Sequence, residues 1–144
     1  MTRLLIDTSV LIKWFHDAGE SELAPARAIR AAHVRGDLDA HVLDLAMYEV
    51  GNILTRALRW TAADVADQLD DITAIVGAPI MMEQGWLRDA AALAETHMLS
   101  FYDASWAAAA GALGVSLVSA DRQLLAAGLA ETPSVVTSRL NVAL

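Results

Sequence analysis

The sequence predicts an α/β protein of three layers, α/β/α, built on a mostly parallel sheet of about five short strands. Three observations point there. Brief apolar or β-branched runs bounded by turn residues alternate with longer stretches of helical periodicity, the pattern of strands joined by crossover helices. Hydrophobic residues make up 56% of the 144 residues, enough for a substantial core. No internal repeat, low-complexity tract or Pro/Gly/Ser linker interrupts the chain, so residues 1–144 are expected to form one domain.

Taken in order, the expected strands are Leu4–Ile6, Ala40–Val42, Ile80–Met82, Ser116–Ser119 and Val135–Thr137. The first expected helix is a short one over Val10–His16, and Ala24–Arg35 follows, ended by Gly36. Leu45–Leu58 and Ala62–Ile75 read as a helical hairpin turning at Arg59-Trp60-Thr61. Trp86–His97, Tyr102–Leu113 (stopped by Gly114) and Arg122–Ala127 complete the set. In sheets of this kind ligands gather outside the carboxyl ends of the strands. Asp7 and Asp121 both follow expected strands, which places two carboxylates on one edge of the sheet.

The net charge of −8, from 18 acidic and 10 basic residues, argues against a general nucleic-acid coat, which needs a basic face to displace counterions. It leaves room for a nuclease whose acidic site is neutralised by bound cations. The basic residues other than Lys13 are all arginines, the better side chain for bidentate contact with phosphate or carboxylate. The absence of cysteine excludes disulfides and thiolate metal sites. No apolar run reaches the roughly 18 residues needed to span a bilayer. The start, Met1-Thr2-Arg3-Leu4, moves straight into a strand and does not read as a cleavable signal. A cytoplasmic protein is expected.

Each aspartate near a helix start has a plain structural explanation. Asp7, with Thr8 and Ser9, and Asp121, after Ser119-Ala120, could simply cap the helices that follow. Asp103 could merely favour the positive end of its alanine-rich helix. Glu49 differs. It lies inside Leu45–Leu58 among Leu45, Met47, Val50, Ile53, Leu54, Ala57 and Leu58, and shares with Asn52 and Arg56 one narrow polar stripe. That stripe could face solvent or the mouth of a cleft. Converging carboxylates repel one another unless cations occupy the site, so a cluster says more than its members. Mg²⁺ and Mn²⁺ are hard ions that prefer such oxygen ligands.

Four segments together resemble the PIN-domain family, and more narrowly the VapC toxins of bacterial toxin–antitoxin pairs. They are Leu4-Leu5-Ile6-Asp7-Thr8-Ser9, Tyr48-Glu49-Val50-Gly51-Asn52, Tyr102-Asp103-Ala104 and Leu117-Val118-Ser119-Ala120-Asp121-Arg122-Gln123-Leu124. The resemblance covers the whole chain in length and element order. It implies a PIN-like fold and a metal-dependent endoribonuclease in which Asp7, Glu49, Asp103 and Asp121 hold Mg²⁺ or Mn²⁺ and act as the catalytic set. Ser119 and Thr8 match positions that support the site, and Asn52 matches a polar position after the glutamate. The family often has threonine where Ser119 stands and an aromatic where Leu124 stands; both departures keep the chemistry. The implied partners are an RNA substrate, a second copy of the chain as a homodimer, and a small antitoxin protein. The antitoxin's C-terminal segment would lie along the toxin and offer a basic side chain to the acidic pocket. Trp14, Phe15, Trp60 and Trp86 are candidates for such apolar surfaces or for the core.

Other features carry less. His16, His33, His41 and His97 show no paired ligand spacing. Met81-Met82 reads as core filling, and Asp64, Asp67, Asp70 and Asp71 as a solvated helix face. Arg56 and Arg122 are candidate phosphate contacts that could equally pair with carboxylates. Two other functions compete. Phosphoryl transfer through Asp7 would want a late lysine, and the sole lysine is Lys13. A catalytically inactive PIN-like scaffold for RNA or protein would have no need to retain all four acids.

Overall fold

The structure, a computed structural model, describes residues 1–144. Its centre is the strand β1 (Arg3–Ile6), flanked by β2 (Asp39–His41) and β3 (Ser116–Val118) in the order β2-β1-β3. Both pairings are parallel, with Leu4 opposite Ala40 on one side and Ser116 on the other. Successive side chains of a strand point to opposite faces. Leu4, Leu5 and Ile6 are all fully buried, so both faces of the central strand are covered, as a parallel sheet requires.

Eight helices surround the sheet. α1 (Thr8–Leu11) leaves β1 through a sharp turn and tightens into a 3₁₀ turn, Ile12–Trp14. α2 (Leu23–Arg35) follows and stops at Gly36, whose φ of 83° turns the chain so that the Asp37 N–H reaches the Ala32 carbonyl at 2.9 Å. α3 (Leu45–Asn52) runs on through a widened π turn, Ile53–Ala57, before α4 (Ala62–Val76). α5 (Gln84–His97) and α6 (Phe101–Leu113) pack along each other, more extensively than any other two elements. α6 carries Ala104 and Ala107–Ala110, whose small side chains allow close approach, and it ends at Gly114 with φ 66°. α7 (Arg122–Ala126) and α8 (Pro133–Leu140) close the chain, α8 packing on α2. A single cluster of 31 buried apolar residues joins sheet and helices. His33 braces this core. Its Nδ1 accepts from Ala40 N–H at 3.0 Å, and its Nε2 is therefore the donor to the Ile75 carbonyl at 2.7 Å.

The sheet has three strands rather than about five. Ile80–Met82 contributes a single bridge, with Ile80 N–H bonded to the Val42 carbonyl at 2.8 Å. Pro79 precedes it and Met81 turns out to solvent, 72% exposed, so the pairing goes no further. Val135–Thr137 is helical, lying inside α8. Thr132 accepts from Val135 N–H and Pro133 occupies the first turn, a start signal stronger than the β-branched run behind it. The place beside β3 goes instead to Glu131, which bonds Leu117 and Ser119 at 2.9 Å each. Leu45–Leu58 is continuous as expected, but its last turn widens into the π turn. No helix is long and apolar enough to cross a membrane.

Candidate active site

Asp7 ends β1 and caps α1: its carboxylate Oδ1 accepts the Ser9 N–H at 3.0 Å. Its backbone N–H donates to the Val118 carbonyl at 3.0 Å, fixing the end of β1 to the end of β3. Ser119, the next residue beyond β3, is fully buried and donates its hydroxyl to Asp7 Oδ2. The same Ser119 oxygen accepts Asp121 N–H at 3.0 Å. Asp121 caps α7 by accepting Gln123 and Leu124 N–H groups, both on Oδ1 and both at 3.0 Å, which leaves Oδ2 free. Capping and site-building are thus the same geometry. The two strand ends deliver two aspartates, and one serine hydroxyl ties them together.

Glu49 arrives from α3. Its Oε1 accepts the Thr8 hydroxyl at 2.9 Å and the Trp106 indole N–H at 3.0 Å, leaving Oε2 without a protein donor. Asp103 sits in the first turn of α6, where the Ser100 hydroxyl accepts its N–H at 3.1 Å. The four acids feel one another. Burial pushes the Asp7 carboxyl up to about 6, opposed by the Ser119 hydroxyl and the Ser9 N–H and assisted by the charges of Glu49 and Asp103. Asp103 is raised mainly by burial and then by Asp121, with a hydrogen bond from Ser100 pulling down and Glu49 adding a smaller push. Asp7, Glu49, Asp103 and Asp121 therefore share one electrostatic neighbourhood at the carboxyl end of the sheet.

They do not close on one point. No three of the chain's Asp, Glu or His side chains converge tightly enough, as they stand, to hold a metal ion. Asp7 and Glu49 are each pinned by two donors of their own, which fixes where their carboxylates stand. The donor chemistry nonetheless suits a hard divalent cation. Every candidate ligand atom is a carboxylate oxygen, and Glu49 Oε2 and Asp121 Oδ2 are unengaged.

An open groove of about 410 Å³ runs beside Glu49, lined by Thr8, Tyr48, Asn52 and Tyr102 among others. Tyr48 and Tyr102 are 74% and 61% exposed at its rim. A separate hollow of about 470 Å³ beside Arg59 and the acidic face of α4 is lined by none of the four acids. Arg56 and Arg122 are exposed and take part in none of the ion pairs, so their guanidinium groups are free for phosphate. Of the aromatic residues that the sequence left open between an apolar surface and the core, all four pack against the core. Trp14 is buried, and Phe15, Trp60 and Trp86 are half-buried against the core, with Phe15 and Trp60 meeting edge-on at 6.4 Å.

Two residues at the site were given no role there by the sequence-based reading. Ser9 accepts Ala120 N–H at 2.9 Å and lies 3.3 Å from the Ser119 oxygen, so it locks α1 to the segment before Asp121. Its position two residues after Asp7 was the available signal. Trp106 stands one helical turn after Asp103 as the only bulky side chain in an alanine run, a signal for which packing alone offered a sufficient explanation.

This fold and this edge define a class. The PIN domain family model matches residues 4–129, and the chain belongs to the PIN-domain family. Its relatives there are VapC nucleases. A protein named Ribonuclease VapC3, from Pyrobaculum aerophilum, is 32% identical over 126 residues, covering 85% of this chain and 92% of that one. Exonuclease VapC9 of the same organism is 34% identical over 85 residues, 59% of this chain and 64% of that one. A P. aerophilum protein of known crystal structure superposes with a TM-score of 0.68 at 27% identity, covering 99% of this chain and 98% of its own. A toxin–antitoxin complex from Klebsiella pneumoniae shares the fold, with a TM-score of 0.63 at 18% identity over 90% of this chain and 97% of that one.

Proposed function

We propose that the protein, as one domain over residues 1–144, is a metal-dependent endoribonuclease acting as the toxin of a toxin–antitoxin pair. The observation that carries this reading is the edge itself: four acids, from the end of β1, α3, α6 and the β3–α7 turn, gather at the carboxyl end of a parallel sheet, where burial and the neighbouring carboxylates raise Asp7 and Asp103. Names given to relatives, a ribonuclease and an exonuclease, support the chemistry, and the toxin–antitoxin complex of like fold supports the setting.

Asp7, Glu49, Asp103 and Asp121 would hold Mg²⁺ or Mn²⁺. When bound, the ion supplies an activated water and offsets charge on the scissile phosphate. The chain's own residues do the rest. Arg56 and Arg122 take neighbouring phosphates, and Asn52 offers an amide at the groove. Thr8 and Ser119 orient Glu49 and Asp7 through the hydroxyl bonds described above. The exposed rings of Tyr48 and Tyr102 give unpaired bases a face to stack on, which suits a single-stranded segment. The remaining expectations belong with this reading: a cytoplasmic protein, a homodimer, and a small antitoxin that places a basic side chain over the acids.

A circular RNA tests the reading. Linearisation by the protein with Mn²⁺, absent in EDTA, marks an endonuclease; digestion restricted to linear RNA would make it an exonuclease. One observation favours a second reading, a PIN-fold scaffold that binds RNA or protein without turnover: no three acids converge. Binding of RNA with saturating Mn²⁺ and no cleavage would support that reading instead.

A further inference from the structure

Trp106 is the largest fully buried side chain in the protein, yet its one polar atom is directed at the acidic edge. An indole has a single donor and no acceptor. Here the donor meets Glu49 Oε1 at 3.0 Å, a charge-assisted bond to a carboxylate 57 residues away in sequence. Burial alone does not force this. Trp14 is also buried and its indole nitrogen has no partner, so the chain tolerates an unmatched indole elsewhere. The Thr8 hydroxyl converges on the same oxygen at 2.9 Å. Asp103 and Trp106 are three residues apart on α6 and share a face. One face of one helix therefore brings an acid of the site and a donor to a second acid from another helix.

We propose that Trp106 is a positioning residue that holds Glu49 at the site against the repulsion of the other carboxylates. Two donors saturate Oε1 and leave Oε2 as the one oxygen of Glu49 open to a cation. A glutamate on a helix surface has three rotatable bonds, and Asp7 and Asp103 repel this one. Tethered in advance by a rigid, buried ring, it loses less freedom when a cation binds. The inference rests on the metal-dependent reading above.

Trp106→Phe in the full-length chain keeps an aromatic body and removes the N–H. Mn²⁺ binding by calorimetry, without RNA, should weaken roughly ten- to a hundredfold. RNA cleavage should need correspondingly more Mn²⁺ to reach half its maximal rate. A folded variant with unchanged Mn²⁺ affinity overturns the proposal. Should the variant fail to fold, the wild-type indole remains a probe. Its Trp106 N–H resonance should move on adding Mg²⁺ and again in Glu49→Gln; a resonance indifferent to both overturns the proposal. Wild type that binds no Mn²⁺ contradicts the nuclease reading and this one together, whereas unchanged binding in Trp106→Phe contradicts the tether alone.

Discussion

Replacing Asp7 by asparagine should stabilise the protein at neutral pH while removing its activity. The carboxyl is 5% exposed, and burial raises its pKa from 3.8 to about 6 despite the Ser119 and Ser9 hydrogen bonds. In the unfolded chain the group titrates near 3.9. Between those values the folded protein keeps a proton that the unfolded chain has released, so stability falls as pH rises. This contribution is fully present below about pH 4 and lost by the time the pH has passed through 6. At about 1.4 kcal/mol for each tenfold, ionised Asp7 costs the fold about 3 kcal/mol at pH 7.5. Asparagine keeps an oxygen for the Ser9 N–H and turns an amide toward the Ser119 oxygen, with no charge to desolvate. Asp7→Asn should gain up to about 3 kcal/mol at pH 7.5, or roughly 6–12 °C in Tm, and almost nothing at pH 4. The assay is urea unfolding followed by tryptophan fluorescence from pH 4 to 8. EDTA must be present, because a cation bound only to folded wild type would mask the effect. A variant no more stable than wild type at pH 7.5, or a gain independent of pH, would refute the claim that desolvation governs Asp7.

Ser119→Ala should cost about 1–3 kcal/mol, because it strips a donor from Asp7 and leaves the Asp121 N–H without its acceptor. Ser119→Thr, which keeps the hydroxyl and adds one methyl, should recover much of that in the same urea titration; a Ser119→Ala variant as stable as wild type would refute the role given to the hydroxyl. Arg56→Ala and Arg122→Ala should weaken binding of single-stranded RNA and lower the salt slope by about 0.7 for each phosphate left without its arginine. Fluorescence anisotropy from 50 to 200 mM salt (roughly the range over which such slopes are resolved) reads this directly, and an unchanged slope would remove that arginine from the interface. Glu49→Gln and Asp103→Asn should each lower RNA cleavage by more than about a hundredfold with the fold intact by circular dichroism.

Sequence legibility followed how local each determinant is. Leu4-Leu5-Ile6 reads as a buried strand because both of its faces are covered, and Gly36 and Gly114 announce helix ends through backbone conformations that glycine adopts freely. Val135–Thr137 misled because β-branched residues outweighed the Thr132-Pro133 start signal. Ile80–Met82 had the composition of a strand, but only Ile80 finds a partner. Asp7 and Asp121 were legible as strand-end carboxylates, and Glu49 by its place on an otherwise apolar helix. What the sequence concealed is long-range pairing. The Trp106–Glu49 bond, the Ser9–Ala120 bond and the spreading of the four acids all depend on the folded arrangement rather than on any spacing along the chain.

The most direct test of the central claim is cleavage of a mixed cellular RNA pool by wild type, Asp7→Asn and Asp121→Asn, each with Mn²⁺, with Mg²⁺ and with EDTA. Discrete fragments from wild type with metal, and none from either variant or in EDTA, are the predicted result. Equal cleavage by a variant, or by wild type in EDTA, would contradict the assignment of catalysis to these carboxylates.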